Sequence, residues 1–260
     1  MAFSEILPKI ARNSAGQPPL RIGWLAPYAE LPGEYADVLA GIGVPNVAWQ
    51  VVTESEDTHD VEGLRALAAI DRLADGAARL RRWHADVAIW ACTSGSFIAG
   101  REFAEAQSEA IAKAAGCLAS STSLAFIAAL RHLGIDRVSV VASYPEPATQ
   151  RFVEFLAEFR IRALSVASFG AAGARAAERL DARAVAAKLR QLGQETGDAI
   201  LLPDTAVWGI SLQAELAGRC PAMMLSANQV TIWEAFRLLG KPVDLGDIVS
   251  TLRFVSRDSA

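Results

Sequence analysis

Cys92, in the segment Ala91-Cys92-Thr93-Ser94-Gly95-Ser96, is the residue whose type and setting point most directly to chemistry. A cysteine attacks as a thiolate, and a thiol is mostly protonated at neutral pH, so its surroundings must help it ionise. A strand that ends in a turn and a helix offers that help through backbone N–H groups and the positive helix terminus. Such a sulfur acts as a nucleophile or as an acid–base group. Either role develops negative charge that needs preorganised donors. A second segment, Asp198-Ala199-Ile200-Leu201-Leu202-Pro203-Asp204-Thr205, repeats the pattern with Asp204 at the strand end. An aspartate in water titrates near pH ~4 and supplies a base but no acid. Burial in a cleft would raise that value and would let Asp204 take part in proton exchange. Asp204 also fits activation of water, or a helix cap or turn residue.

Other reactive residue types have plainer settings. Cys117 and Cys220 read as core residues. His59, His84 and His132 sit in polar loop or helix contexts, which suit structural or solvent-facing roles. Asn228 and Trp233 fit a helix cap and a packing aromatic as well as support of a site loop. The acidic stretch Glu54 to Asp60 reads as a solvated loop that could cap the helix after it.

The elements that must position these residues follow from hydrophobic patterning. Arg21 to Pro27 is a short apolar run ended by proline, expected as the first strand and buried on both faces. Leu64 to Trp83 has helical spacing and feeds a second buried strand, Ala85 to Ala91. A polar helix follows at Arg101 to Ala115. The order then repeats: a helix from Ser123 to Leu133 closing on Gly134, a strand from Asp136 to Tyr144-Pro145, helices at Ala148 to Phe159 and Ala182 to Leu192, and the strand before Asp204. The distance from first strand to second motif is roughly 70 residues in each half, the mark of a duplicated α/β unit. In parallel α/β sheets ligands bind beyond the carboxyl ends of the strands. Facing lobes would therefore bring Pro27 to Glu30, Cys92 to Ser96, Ser143 to Pro145 and Asp204 to Ala206 together, with Cys92 and Asp204 on opposite walls of one cleft.

Composition narrows the classes. With 260 residues, 52% hydrophobic and 21% charged, the chain buries a sizeable core. A net charge of −4 with dispersed arginines argues against nucleic acid. Residues 1–20 lack the apolar core of a secretory signal, and no run is long and apolar enough to span a bilayer, so a cytoplasmic protein without a membrane partner is expected. Three scattered cysteines form no metal-spaced pair and no even disulfide set, in keeping with a reducing compartment.

Cys92 to Phe97, Ser121-Thr122-Ser123 before a helix, Tyr144 ending a strand, and Ser226-Ala227-Asn228-Gln229 followed by Trp233 together resemble the aspartate/glutamate racemase superfamily. Within it the chain is similar to the branch of maleate cis-trans isomerase and arylmalonate decarboxylase, from about Arg21 to Gly240. The resemblance implies two similar Rossmann-like lobes with parallel sheets, related by a pseudo-twofold, and an active site in the cleft between them. The expected division is an extension at 1–20, a first lobe at 21–120 onto which about 226–260 pack back, and a second lobe at 121–225. It further implies a homodimer and chemistry on a small carboxylate substrate with neither metal nor organic cofactor.

In the isomerase branch a first-lobe cysteine adds to the double bond, and Cys92 occupies that position. In the decarboxylase branch that position is glycine, and a second-lobe cysteine reprotonates an enediolate. Here the arrangement is reversed, because Asp204 matches the second-lobe position. Thr93, Ser94 and Tyr144 match residues that bind a substrate carboxylate, and Thr205 and Glu30 complete the expected binding set. Where maleate isomerases carry asparagine after the first-lobe proline, this chain reads Pro27-Tyr28-Ala29-Glu30. Tyr28, Glu30 and Trp208 are expected to set specificity. Isomerisation of a small dicarboxylate through Cys92 is the leading expectation. Decarboxylation or racemisation by a Cys92/Asp204 pair and a non-catalytic carboxylate-binding role are the alternatives.

Overall fold

The computed structural model describes residues 4–10, 18–27, 30–53, 55–192, 197–220, 222–241 and 243–255, with 4–10 and 253–255 described through their backbone. The chain runs β1 (Ser4–Ile10), β2 (Leu20–Ala26), α1 (Glu34–Gly41), β3 (Asn46–Val52), α2 (Val61–Leu67), α3 (Ile70–Leu80), β4 (Val87–Trp90), α4 (Thr93–Phe97), α5 (Arg101–Ala115), β5 (Leu118–Ser121) and α6 (Thr122–Leu133). It continues through β6 (Arg137–Ala142), α7 (Glu146–Glu158), β7 (Arg162–Ser168), α8 (Ala174–Ala177), α9 (Ala182–Leu189), β8 (Ala199–Leu202), α10 (Gly209–Leu216), β9 (Met223–Ser226), α11 (Ala227–Leu238) and α12 (Leu245–Val255).

The first sheet has the order β1-β3-β2-β4-β5 and the second β7-β6-β8-β9. Apart from β1 every pairing is parallel, and both sheets share one strand order, the outcome expected of a duplicated α/β unit. β2, β4 and β8 lie between other strands and are largely or wholly buried, which is why they read as near-continuous apolar runs.

Two elements differ from the sequence reading. Arg21 to Pro27 is not the first strand, because Ser4–Ile10 pairs antiparallel with β3 at the sheet edge. Its register shifts between Ile6 and Lys9, around Pro8, and an edge strand tolerates a proline because its outer N–H groups have no ladder to complete. The helix expected from Leu64 to Trp83 is broken: α2 stops at Leu67, Ala69 is extended, α3 follows, and Arg81–Trp83 add a single further turn.

Close contacts lock the layers together. Any Cβ at Gly23 would lie 2.7 Å from Leu80 Cδ1, so glycine there lets α3 settle directly on β2. α11 packs against α6, β4 and β5, and α12 against α1 and α10, so the last helices bind both halves. Glu34 in α1 is buried yet accepts from the backbone N–H groups of Ile210 and Ser211 at the start of α10, from Ser211 Oγ and from Asn228 Nδ2. Among the described residues no helix is long and apolar enough to cross a membrane.

Candidate active site

Strand register determines which loop residues meet. β2 and β4 pair with Trp24 beside Ile89, so continuing the ladder sets Pro27 beside Cys92. β6 and β8 pair with Val140 beside Leu201, so the same continuation sets Ser143 beside Asp204. The side chains then meet: Ser143 Oγ donates to Asp204 Oδ2 at 2.5 Å.

Cys92 is extended and caps α4, whose Gly95 N–H donates to its sulfur at 3.3 Å, while Ser94 Oγ lies 3.8 Å from the sulfur. The sulfur is tightly held. A Cβ at Gly95 would meet Cys92 Sγ at 3.2 Å and Leu67 Cδ1 at 2.6 Å. Ser96 and Ser123 bind each other and the carbonyls of Cys92 and Thr93, which pins the turn to the start of α6. The help expected for the thiolate is present but outweighed. At 2% exposure, burial pushes the thiol up to about 12, with the charge of Asp204 acting in the same direction, while Gly95 and Ser94 pull it down. Burial thus favours the thiol over the thiolate at Cys92.

Asp204 is 5% exposed and has φ 127, a conformation that favours glycine. Its Oδ1 accepts from Ala206 N–H at 2.9 Å. It does not cap a helix, since α10 begins only at Gly209 and its N-terminal amides bind Glu34. Thr205 Oγ1 donates to Ala91 O at 3.2 Å and so ties this loop to the residue before Cys92. The lobes thus face each other with Cys92 and Asp204 close enough to interact electrostatically.

A cavity of about 320 Å³ opens between the lobes, its walls including Pro27, Glu30 and Asp57 on one side and Arg175, Thr205 and Ala206 on the other, while Cys92 and Asp204 lie behind these walls and do not line it. Of the expected binding residues, Glu30 and Thr205 line it. Thr93, Ser94 and Tyr144 are buried and do not. Thr93 Oγ1 has no hydrogen-bond partner among the described residues. The Tyr144 ring packs edge-on against Phe97 and against His59. Trp208 is 39% exposed and lies off the cavity wall, and Tyr28 falls outside the described residues.

His59 is the clearest correction. Expected in a structural or solvent-facing role, it is 1% exposed, with Nε2 3.7 Å from Asp204 Oδ2. Nothing local announces this, because its neighbours are polar and its partners lie more than a hundred residues away. Nor is the Glu54 to Asp60 stretch merely a solvated loop. Asp60 caps α2 through Gly63 N–H, as expected, but Asp57 accepts from the N–H groups of Ala174 and Arg175 across the cleft. Ser143 was legible as a strand-end position, though not as the partner of Asp204. His84 and His132 are exposed. Cys117 and Cys220 are half-buried, and Trp233 is packed. Asn228 joins Glu34 to Val207 O, a supporting role behind the loop after β8.

The chain is similar to known proteins in sequence and in fold. The family model described as arylmalonate decarboxylase matches residues 58–247. The chain is 30% identical over 175 residues to arylmalonate decarboxylase from Bordetella bronchiseptica, covering 66% of this chain and 73% of the relative. A liganded double mutant of arylmalonate decarboxylase superposes with a TM-score of 0.76 at 25% identity, covering 86% of this chain and 94% of the other. Nocardia farcinica maleate cis-trans isomerase, a mutant with a covalently bound succinylcysteine intermediate, gives 0.77 at 19% identity, with 85% and 93% covered, and shares the fold.

Proposed function

This chain belongs to the arylmalonate decarboxylase family and is an enzyme of small carboxylic acids, and from that premise we propose that it works at the carbon next to a substrate carboxylate, with Cys92 as the proton donor. The observation that carries this reading is the setting of the sulfur: it is buried, which favours the thiol, and its Sγ already accepts Gly95 N–H. A thiol of that kind is a poor standing nucleophile. It is a competent acid toward a carbanion, and the N–H group behind it stabilises the thiolate that remains.

In the proposed reaction the bond from the α-carbon to one carboxylate breaks, CO2 leaves, and the electron pair stays on the α-carbon, delocalised into the remaining acid group as an enediolate. The Cys92 S–H bond then breaks and its proton forms the new C–H bond. Thr93 Oγ1, buried without a partner among the described residues, supports this reading as a donor for the enediolate oxygens. No metal or organic cofactor enters these steps.

A second reading is cis-trans isomerisation by addition of the sulfur to a double bond. It is favoured by the same Gly95 N–H, which would stabilise a thiolate at Cys92. Turnover of substituted malonates and of maleate in deuterium oxide separates the two. The first reading expects one solvent deuterium at the product α-carbon, whereas addition, rotation and elimination of the same sulfur incorporate none. Isomerised product without deuterium overturns decarboxylation. Stoichiometric binding with no turnover across the panel overturns both.

A further inference from the structure

His59 belongs to the first lobe, on the loop after β3, yet it is held by the second. Its backbone N–H donates to Ala172 O at 2.8 Å, and its Nδ1 lies 3.0 Å from Ala171 O. A carbonyl oxygen only accepts, so Nδ1 carries a hydrogen and Nε2 of the neutral ring is a bare lone pair. That atom faces Asp204 Oδ2 at 3.7 Å and has no hydrogen-bond partner among the described residues. Both oxygens of Asp204 already act as acceptors, Oδ2 from Ser143 Oγ and Oδ1 from Ala206 N–H. A lone pair set against a carboxylate in a buried site is repulsive, and one proton on Nε2 converts the repulsion into attraction. The other groups around the pair do not supply that proton's charge. Tyr144 presents its ring to His59, Cys92 at the end of β4 is bound to Gly95 N–H and favoured by burial as a thiol, and Asp57 is turned to Ala174 and Arg175.

We propose that His59 and Asp204 hold one proton between them at neutral pH, forming a net-neutral acid–base pair on the second-lobe wall in which His59 is the residue that positions and charges Asp204. The shared proton stands on geometry alone, while its catalytic use rests on the reading of Cys92 as proton donor. In that use, the thiolate left after Cys92 has protonated the α-carbon regains its proton from the pair. The N–H bond at Nε2 breaks, the S–H bond re-forms, and the pair takes a new proton from water in the cleft. A bare carboxylate could not do this, because it holds no proton at neutral pH.

The test begins with nitrogen-15 NMR of the imidazoles in the wild-type protein, which needs no variant to fold. At pH ~7 both His59 ring nitrogens should be protonated, and in Asp204→Asn one of them should lose its proton. A wild-type His59 ring with one bare nitrogen, unchanged in Asp204→Asn, overturns the proposal. The second measurement is turnover of the carboxylate found in the deuterium experiment. His59→Gln, which keeps a donor toward Asp204 but cannot titrate, should lower kcat by about tenfold or more with KM within about twofold, and should remove one limb of the kcat–pH profile. An unchanged profile shape overturns the catalytic role. If no carboxylate is turned over, the functional reading fails while the NMR result still decides the pair.

Discussion

The loops after β4 and β8 occupy equivalent places in two sheets whose parallel strands share one order, yet they are built by opposite means. After β4 the chain enters a helix at once. Cys92 is extended at φ −148, and the N–H that meets its sulfur comes from its own next turn. After β8 there is no immediate helix. Asp204 sits at φ 127, and its partners are Ser143 from the neighbouring strand, Ala206 two residues on, and His59 from the other lobe. A duplicated frame thus decides where loops meet, and local backbone geometry decides whether a loop serves its own side chain or borrows partners for it. The self-contained loop holds the thiol, and the borrowing loop holds the carboxylate.

The asymmetry can be broken from either side. The largest effect is expected for Cys92→Ala, which should lower turnover by about 10²- to 10⁴-fold with circular dichroism unchanged. Near-normal turnover in that variant would remove the first-lobe thiol from the chemistry. Asp204→Asn should cost about 10²-fold in turnover. If the backbone at Asp204 is strained, Asp204→Gly should resist denaturant better than Asp204→Asn by about 1 kcal/mol, since neither carries the carboxylate and only glycine accepts φ 127 without cost. Equal stability would mean that the conformation stores no strain.

Smaller effects probe the supports. Glu34→Gln leaves part of a buried donor set unmatched and should cost about 1–3 kcal/mol in denaturant unfolding. Burial raises Glu34, so the folded state binds its proton more tightly than the unfolded chain. Its contribution is therefore greatest at low pH and falls as pH rises from the ordinary carboxylate range through the folded value. Glu34→Gln should flatten that slope. The smallest effect belongs to Asp86→Asn, at the opposite end of β4, where Arg21 and Asp86 are 42% and 31% exposed and the pair is worth about 1 kcal/mol or less. Arg21 holds Asp86 below its usual range, so that stabilisation is present above pH ~4 and lost as pH falls through the depressed value.

Much of the frame was readable in advance, for a definite reason. Buried parallel strands must be apolar on both faces, so β2, β4, β6 and β8 announce themselves, and α5 and α6 were bounded by periodicity with Gly134 at φ 68 closing the latter. β1 was not readable, because an edge strand interrupted by Pro8 carries no such pattern. Cys92 and Asp204 were found as strand-end residues in a repeated order. The burial of both was not, since it depends on what covers a residue and not on its neighbours in sequence. The same distinction governs the rest of the site. By itself the sequence determined a duplicated α/β fold with Cys92 and Asp204 at matching strand ends, because those features arise from local periodicity and its repetition. Only the tertiary structure decided that Cys92 is buried in a setting that favours its thiol, that Ser143 serves Asp204, and that His59 crosses the cleft to it. Those facts depend on strand register, exclusion of water and contacts between distant segments, none of which a local pattern of residues records.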